Sequence, residues 1–290
     1  MRTEKQMYDL ILDIAEKDER ILAVYMNGSR TNKNVVKDIF QDFDIVYVVN
    51  ETESFVQDKK WIELFGDILY MQYPDENPDF PNDRGNFYGW LMQFSDGNRI
   101  DLHVETAEHA KEHITDDKLC KILLDKKGVL PDIPTATDED YYVKKPTEMQ
   151  YLATCNEFWW TLNNAAKGLW REEMTYVQDM TNYCVRKQLE KLLSWKVGII
   201  TDFSVSVGKS SKYMYRWLDK AEWEMYLSTY FSGNIDEAWK AIFRMCGLFE
   251  TTALYIAENL EYTYNKTESE NAKEFLNHIK QLPKDATEIY

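Results

Sequence analysis

The sequence predicts an N-terminal α+β domain, a mixed sheet with flanking helices, followed by an all-α helical bundle. Three observations support this fold class. Strand-like and helix-like segments are mixed as far as about residue 130. A stretch rich in proline and acidic residues follows over 131–146. Beyond it, apolar residues recur at the three- and four-residue spacing that is typical of helices. A chain of 290 residues is also long enough for two domains.

The N-terminal part begins with a predicted helix over residues 3–18, since Thr3 and Gln6 have the spacing of a capping box. Residues 21–27 are apolar and form a predicted strand. Residues 43–49 are almost uniformly apolar, which favours a central strand covered on both faces. These elements place a buried strand near the start of the chain.

A hairpin is predicted later in the same domain. Residues 87–94 and 99–105 are strand-like, and Asp96-Gly97 between them is a strong turn signal. A further strand is predicted at 68–73. Taken alone, this mixture admits an α/β or an α+β domain.

The predicted domain boundaries follow from these segments. Residues 1–130 form the first domain, 131–146 the linker, and 147–290 the helical domain. Thr147 and Gln150 again have capping-box spacing, so a helix should begin there.

Composition and charge restrict the possible partners. The net charge of −16 would repel a polynucleotide, because nucleic-acid affinity depends mainly on Lys and Arg contacts with phosphate. The same charge would attract a cationic small molecule, although it is equally consistent with a role in solubility alone. No segment has the roughly 18 apolar residues of a membrane span. A cytoplasmic protein is therefore expected. The sequence does not fix the oligomeric state, for which a monomer is favoured.

Three aspartates form the candidate metal site. Asp42 and Asp44 are two residues apart at the start of an apolar strand, so both side chains should point the same way. Asp101, on the second hairpin strand, is the best third member. Adjacent carboxylates repel each other, and magnesium relieves this cost because it prefers hard oxygen ligands. We call Asp42, Asp44 and Asp101 the acidic trio, and we expect it to hold two magnesium ions.

Asp101 is also the candidate general base. It shares its strand face with His103 and Glu105, because alternate residues of a strand point to the same side. Glu105 is therefore the rival candidate for the base. His103 is a possible neighbour of the metal site.

The segment after the first strand is the candidate phosphate-binding element. Gly28-Ser29 ends that strand and is predicted to open a turn and a helix. Glycine allows close approach of the backbone to a phosphate, and exposed amides with a hydroxyl can bind a triphosphate. The candidate ATP-phosphate ligands are Gly28, Ser29 and Arg30.

A second glycine-containing segment is weaker. Gly208-Lys209-Ser210 suggests a P-loop, but that motif requires a glycine where the chain has Phe203. Lys209 and Lys212 remain candidate phosphate ligands in a loop. The alternative is that both are solvated surface lysines.

The constellation of Gly-Ser, Asp-x-Asp and a later Asp resembles the DNA polymerase beta-like nucleotidyltransferase superfamily. A more specific resemblance, over essentially the whole chain, is to the aminoglycoside 6-adenylyltransferases, which act on streptomycin. The runs that carry it are NGSRTN (27–32), DFDIVYVV (42–49), LWREEMTYVQDMTNYCVRKQLEKLLSWKVG (169–198) and TDFSVSVGKSSKYMYRWL (201–218).

The resemblance implies transfer of AMP from ATP to the 6-hydroxyl of streptomycin, with release of pyrophosphate and resistance to the antibiotic. A cationic acceptor needs acidic groups, and Glu172, Glu173 and Asp179 are the candidates in the helical domain. They are equally consistent with a solvated helix face. Two other functions stay open: nucleotidyl transfer to a protein or to another small-molecule hydroxyl, and a non-catalytic nucleotide-binding module.

Overall fold

The chain divides into two compact units. The computed structural model describes residues 1–290, and its units are Met1–Asp140, the N-terminal unit, and Tyr141–Tyr290, the C-terminal unit. The division lies inside residues 131–146, the predicted linker. The exact domain boundaries and the roles of the domains stay predictions.

A six-stranded sheet forms the centre of the N-terminal unit. Its strands in chain order are β1 Ile21–Asn27, β2 Phe43–Val49, β3 Ile68–Gln72, β4 Phe87–Phe94, β5 Arg99–Thr106 and β6 Cys120–Asp125. In the sheet they are ordered β3-β4-β5-β2-β1-β6. The β2–β5 pair is parallel and every other neighbouring pair is antiparallel. The predicted mixed sheet is therefore confirmed.

Strand β2 lies inside the sheet and is covered on both faces, as its apolar sequence predicted. Phe43, Ile45 and Tyr47 belong to a core that also contains residues of the first helix. Val46 and Val48 belong to a second core on the opposite face. Strand β6 was not predicted, although its short apolar run at 122–124 is a weak signal for it.

Three helices flank the sheet: α1 Glu4–Lys17, α2 Glu53–Gln57 and α3 Ala107–His113. The capping box that predicted α1 is present, since the Thr3 side chain accepts from the backbone of Gln6 and the Gln6 side chain accepts from Thr3. Met7, Ile11, Ile14 and Ala15 form the buried face of α1.

Helices form most of the C-terminal unit, which contains no strand. Its helices are α4 Glu148–Arg171, α5 Met174–Asp179, α6 Arg186–Ile200, α7 Lys220–Leu227, α8 Ile235–Leu260 and α9 Lys266–Gln281. One π-helical segment, Met180–Val185, joins α5 to α6. Thr147 and Gln150 form the predicted capping box of α4. One aromatic-rich core fills the unit. None of the helices in the chain is both long enough and apolar enough to cross a membrane.

Candidate active site

The acidic trio converges because two strands run side by side. Strands β2 and β5 are parallel neighbours, and their register pairs Asp44 with Asp101. Asp42 immediately precedes β2, two residues from Asp44. One carboxylate oxygen from each of the three lies within 4.8 Å of the others. The donor set is therefore three hard oxygens at one point of the sheet, which suits magnesium.

Strand alternation separates these carboxylates from the core under α1. Phe43 and Ile45 flank Asp44 in the sequence, and Ile100 and Leu102 flank Asp101; all four are fully buried in that core. The aspartates consequently point to the other face of the sheet.

The electrostatics of Asp44 reflect the crowding. Burial is the largest cause, and the charges of Asp42 and Asp101 add to it, so that the pKa of Asp44 is raised to about 7. Arg99 and Arg30 oppose this shift. A bound cation would offset the repulsion between the carboxylates, which is the physical reason that this group of side chains fits a metal ion.

Gly28 lies against the trio. Its φ is 75°, in the region that favours glycine, and a Cβ at this position would stand 2.1 Å from Oδ2 of Asp44. The Gly28 amide donates to the carbonyl of Leu119, 3.1 Å away. No larger residue fits here without displacing Asp44.

The predicted turn and helix after Gly28 was only partly right. Ser29–Thr31 is a single 3₁₀ turn, and Asn32 after it is extended. The Thr31 hydroxyl donates to the Gly28 carbonyl at 2.8 Å, which closes the turn. The Ser29 hydroxyl is 3.4 Å from Nε2 of Gln41, its donor, and is only partly buried. Three residues do not supply the aligned peptide dipoles of a longer helix.

Arg30 lies beneath the loop that leads into β2. Its Nε donates to the carbonyl of Asp42 at 2.8 Å, and its Nη2 donates to that of Gln41 at 2.7 Å. The guanidinium stacks on Phe43, 3.7 Å from the ring centroid, and pairs with Glu4. The side chain is 8% exposed. These contacts fix the position of the backbone at Asp42.

Arg99 was missed by the sequence analysis, although it is two residues from Asp101. Its Nε donates to Oδ1 of Asp101 and its Nη2 donates to Oδ2, both at 2.6 Å. Nε is also 3.9 Å from Oδ2 of Asp42. A basic residue two positions before an acidic strand residue was the signal, because both share one face of β5.

Glu105 shares the strand face of Asp101 but has different surroundings. It is 2% exposed. The Tyr25 hydroxyl donates to its Oε2 at 2.5 Å, and the Nδ1 of His109 is hydrogen-bonded to its Oε1. His103, between the two acids, is stacked on Phe87, and burial lowers the pKa of His103. Both oxygens of Glu105 are thus engaged by partners outside the trio.

Comparison with known proteins gives a family match over nearly the whole chain. The family model described as streptomycin adenylyltransferase matches residues 1–279. This chain belongs to that family. The predicted family and the predicted enzyme class, a nucleotidyltransferase, are confirmed.

Two relatives named aminoglycoside 6-adenylyltransferase are similar to this member of the streptomycin adenylyltransferase family. The one from Bacillus subtilis (strain 168) is 38% identical over 91% of this chain and 93% of its own length. The one from Campylobacter jejuni is 39% identical over 91% of both. A crystal structure of an aminoglycoside 6-adenyltransferase from Bacillus subtilis is 33% identical, with a TM-score of 0.48, and the match covers 97% of this chain and 100% of that one.

Two candidate phosphate ligands, Lys209 and Lys212, lie in the C-terminal unit of this family member. Lys209 and Lys212 are exposed and belong to a 3₁₀ turn, Lys209–Ser211, and the residue after it. Gly208 before the turn has a φ of 74°. The Nζ of Lys212 is 5.1 Å from the centroid of the Tyr213 ring. A role in phosphate binding stays a prediction.

The candidate acceptor ligands are exposed and do not share one point. Glu172 follows α4 and pairs with Lys284 at 2.9 Å. Glu173 is 3.9 Å from Arg171, measured between side-chain oxygen and nitrogen. Asp179 ends α5 and forms no ion pair. Their role in acceptor binding also stays a prediction.

Proposed function

We propose that this chain transfers AMP from ATP to the 6-hydroxyl of streptomycin, releasing pyrophosphate and conferring resistance to the antibiotic. The observation that carries the proposal is the convergence of Asp42, Asp44 and Asp101 within 4.8 Å in a chain of the streptomycin adenylyltransferase family. That family uses ATP. The 6-hydroxyl comes from the names of the relatives, and for this chain it is part of the proposal.

In the proposed site the acidic trio would hold two magnesium ions. When bound, magnesium supplies positive charge next to the phosphates and the attacking oxygen. The chain itself prepares this arrangement, since the β2–β5 register fixes Asp44 beside Asp101. Arg30 donates hydrogen bonds to the carbonyls of Gln41 and Asp42, and these bonds fix the backbone at Asp42, the first proposed metal ligand.

The triphosphate would bind along Gly28 and Ser29, and Arg30 is the third proposed phosphate ligand of this segment, although its guanidinium is already bonded to the carbonyls of Gln41 and Asp42. Glycine at position 28 lets the backbone lie directly against the Asp44 carboxylate, so this segment stands beside the trio, where the Ser29 hydroxyl would supply a donor. Lys209 and Lys212 are proposed as further phosphate ligands, each acting as a point charge on a flexible stem. Their exposure leaves the ammonium groups available to a ligand.

Asp101 is the proposed general base, in preference to Glu105. The sugar hydroxyl is a poor nucleophile at neutral pH and must lose its proton, a step in which base catalysis contributes about 10²–10⁴-fold. Both acids have hydrogen-bonded oxygens, Asp101 to Arg99 and Glu105 to Tyr25 and His109, but only Asp101 belongs to the trio. Four residues of strand separate the two acids by roughly 13 Å. Glu105 is too far away to accept a proton from a substrate that is bound at the trio.

Acceptor choice is assigned to the helical part of the chain. Residues 1–130 are proposed as the nucleotidyltransferase domain, 131–146 as the linker and 147–290 as the acceptor-binding domain. Glu172, Glu173 and Asp179 are proposed to attract the cationic acceptor. The protein is proposed to act as a cytoplasmic monomer without a nucleic-acid partner, which agrees with its net charge of −16.

Mass spectrometry of streptomycin, after incubation with the protein, ATP and magnesium, tests this function. We expect a mass gain of one AMP on the antibiotic and equimolar pyrophosphate, and neither product with Asp44→Asn. Parallel incubation of labelled ATP with lysate protein distinguishes the other acceptors. Label on a protein with unmodified streptomycin would contradict the proposal, and so would nucleotide binding in calorimetry without turnover.

A further inference from the structure

Arg99 holds the acidic trio through carboxylates alone. Its two 2.6 Å hydrogen bonds form a fork on Asp101, and its remaining short contact is the 3.9 Å approach to Asp42. No backbone carbonyl and no aromatic ring is among its recorded partners. The only groups that fix this guanidinium are therefore the proposed metal ligands.

Arg30 provides the contrast within the same site. Its guanidinium is fixed by two backbone carbonyls and by the Phe43 ring, and the side chain is 8% exposed. The Arg99 side chain is 45% exposed. Arg30 would lose three neutral partners and its pair with Glu4 if it moved, whereas Arg99 would lose only its two charge pairs, with Asp101 and Asp42, and is already in contact with solvent.

The fork and a metal ion require the same atoms. Each oxygen of Asp101 accepts a hydrogen bond from Arg99, which occupies one lone pair on each oxygen and places a positive charge against the carboxylate that a cation would bind. Two positive groups cannot share one carboxylate without mutual repulsion. Occupation of Asp101 by a divalent ion must therefore compete with the Arg99 fork.

We propose that the Arg99 guanidinium changes its partner during binding. It pairs with Asp101 when no divalent ion is bound, and it binds the phosphates of ATP when the ion holds Asp101. The inference rests on the proposed function. Guanidinium suits the second position because its planar fork matches phosphate oxygens as well as carboxylate oxygens. The exchange also keeps the trio partly neutralised before substrate arrives.

Titration of the nucleotide-free protein with Mn²⁺, followed by electron paramagnetic resonance, tests the first half. In Arg99→Gln the competing cation is gone, so we expect Mn²⁺ to bind at least about fivefold more tightly than in the wild type. Arg84→Gln is the matched control: Arg84 has similar exposure, 46%, pairs with Glu76 and carries the same charge. It corrects for the change in net charge and should leave Mn²⁺ affinity unchanged.

Calorimetry with MgATP in the absence of acceptor tests the second half. Arg99→Gln should bind MgATP about tenfold more weakly, because a charged phosphate partner is lost. Arg99→Lys keeps the charge without the fork and should be intermediate in both assays. Tighter Mn²⁺ with weaker MgATP is a pair of opposite changes, whereas a merely structural role would weaken both.

Three results would overturn the proposal. Equal Mn²⁺ affinity in the wild type and Arg99→Gln would exclude competition for Asp101. Tighter Mn²⁺ with unchanged MgATP binding would exclude transfer to the phosphates. Absence of Mn²⁺ binding in every variant would remove the metal site itself, and with it the proposed function, so failure of the two ideas can be told apart.

Discussion

The acidic side chains of the two units are arranged in opposite ways. In the N-terminal unit, three carboxylates lie within 4.8 Å of one another, and Arg99 pairs with one of them, Asp101. In the C-terminal unit, Glu172 and Glu173 are exposed and each has its own basic neighbour, and Asp179 is a turn or more away. Burial, with the charges of Asp42 and Asp101 added to it, raises the pKa of Asp44, whereas an exposed charge pair contributes little to the free energy of unfolding.

This difference shows that strands and helix ends constrain the positions of charged side chains to different degrees. Two parallel strands fix their side chains at a spacing of about 5 Å, so like charges are forced together and need a cation. A helix end gives no such constraint, and long side chains there select their own partners in solvent. The predictions below therefore concern first the trio, where position is fixed, and last the helical acids, where it is not.

Asp101→Asn should have the largest effect. We expect single-turnover AMP transfer to fall by about 10²–10⁴-fold, because the proposed base is removed. MgATP binding should stay measurable, since Asp42 and Asp44 remain. Rapid-quench measurement of AMP transfer, with ATP binding beside it, checks both expectations.

Glu105→Gln is the matched comparison on the same strand face. It leaves the trio intact but weakens the contacts with Tyr25 and His109, so its thermal stability should fall while its transfer rate stays close to that of the wild type. A dead Glu105→Gln together with an active Asp101→Asn would move the base to Glu105.

Gly28→Ala should have the next largest effect. The new Cβ would meet Oδ2 of Asp44 at 2.1 Å, so the carboxylate must shift, and a shift of about 1 Å can cost about 10²-fold in rate. Gly97→Ala is the control, because Gly97 also has a positive φ, 89°, but has no atom within 4 Å of the added Cβ. Both variants should lose about 1–3 kcal/mol through backbone strain, because each position has a positive φ. Only Gly28→Ala should lose turnover, as measured by steady-state kinetics.

Part of this site follows from sequence alone. Asp42 and Asp44 beside an apolar strand, and Asp101 in a hairpin, predict convergence if the two strands are neighbours, and they are. The contact of Gly28 with Asp44 depends on the β1–β2 register, which pairs Asn27 with Asp44 and cannot be derived from local pattern. The engagement of Glu105 by Tyr25 likewise joins residues 80 positions apart.

The two arginines show the same limit. Both Arg30 and Arg99 are near the trio in the chain, and both suit phosphate binding by residue type. Their contacts distinguish them, since one guanidinium is fixed on backbone carbonyls and the other on a carboxylate. Residue type predicts the chemistry of a side chain, but its partners depend on how distant segments pack.

Asp44→Asn should stabilise the metal-free protein in a pH-dependent way. The pKa of Asp44 is about 7 when folded and near its ordinary 3.8 when unfolded, so the folded state binds more protons between these values. Wild-type stability therefore falls as pH rises through about 7, and the variant avoids this loss. With EDTA present, its Tm should exceed that of the wild type by about 2–8 °C at about pH 8, and by less at about pH 5.

Asp96→Asn, in the same unit, should change stability in the opposite direction to Asp44→Asn. Burial would raise the pKa of Asp96, but hydrogen bonds from Arg2 and Asn98 outweigh it and lower the pKa. Its carboxylate therefore stabilises the fold at neutral pH, and that contribution is lost in acid as pH falls through the lowered pKa. Asp96→Asn should lower Tm at about pH 8. An Asp44→Asn variant that behaves in the same way would contradict the crowding of the trio.

The helical acids should give the smallest effects. Glu172→Gln, Glu173→Gln and Asp179→Asn remove charges that are exposed, and exposed charge pairs contribute about 0–1 kcal/mol, or up to about fivefold in a binding constant. If these residues attract a cationic acceptor, at least one variant should raise the KM for streptomycin by a few-fold while the KM for ATP is unchanged.

Asp179 is the most informative of the three, because no ion pair with a neighbouring side chain must be broken before it can bind the acceptor. Glu172 already pairs with Lys284, so Lys284→Gln should lower the KM for streptomycin if Glu172 is a true ligand. Measurement of both KM values at low and high salt checks the electrostatic origin, since salt screens exposed charges. An unchanged streptomycin KM in all three acidic variants would show that acceptor choice depends on other residues of the chain.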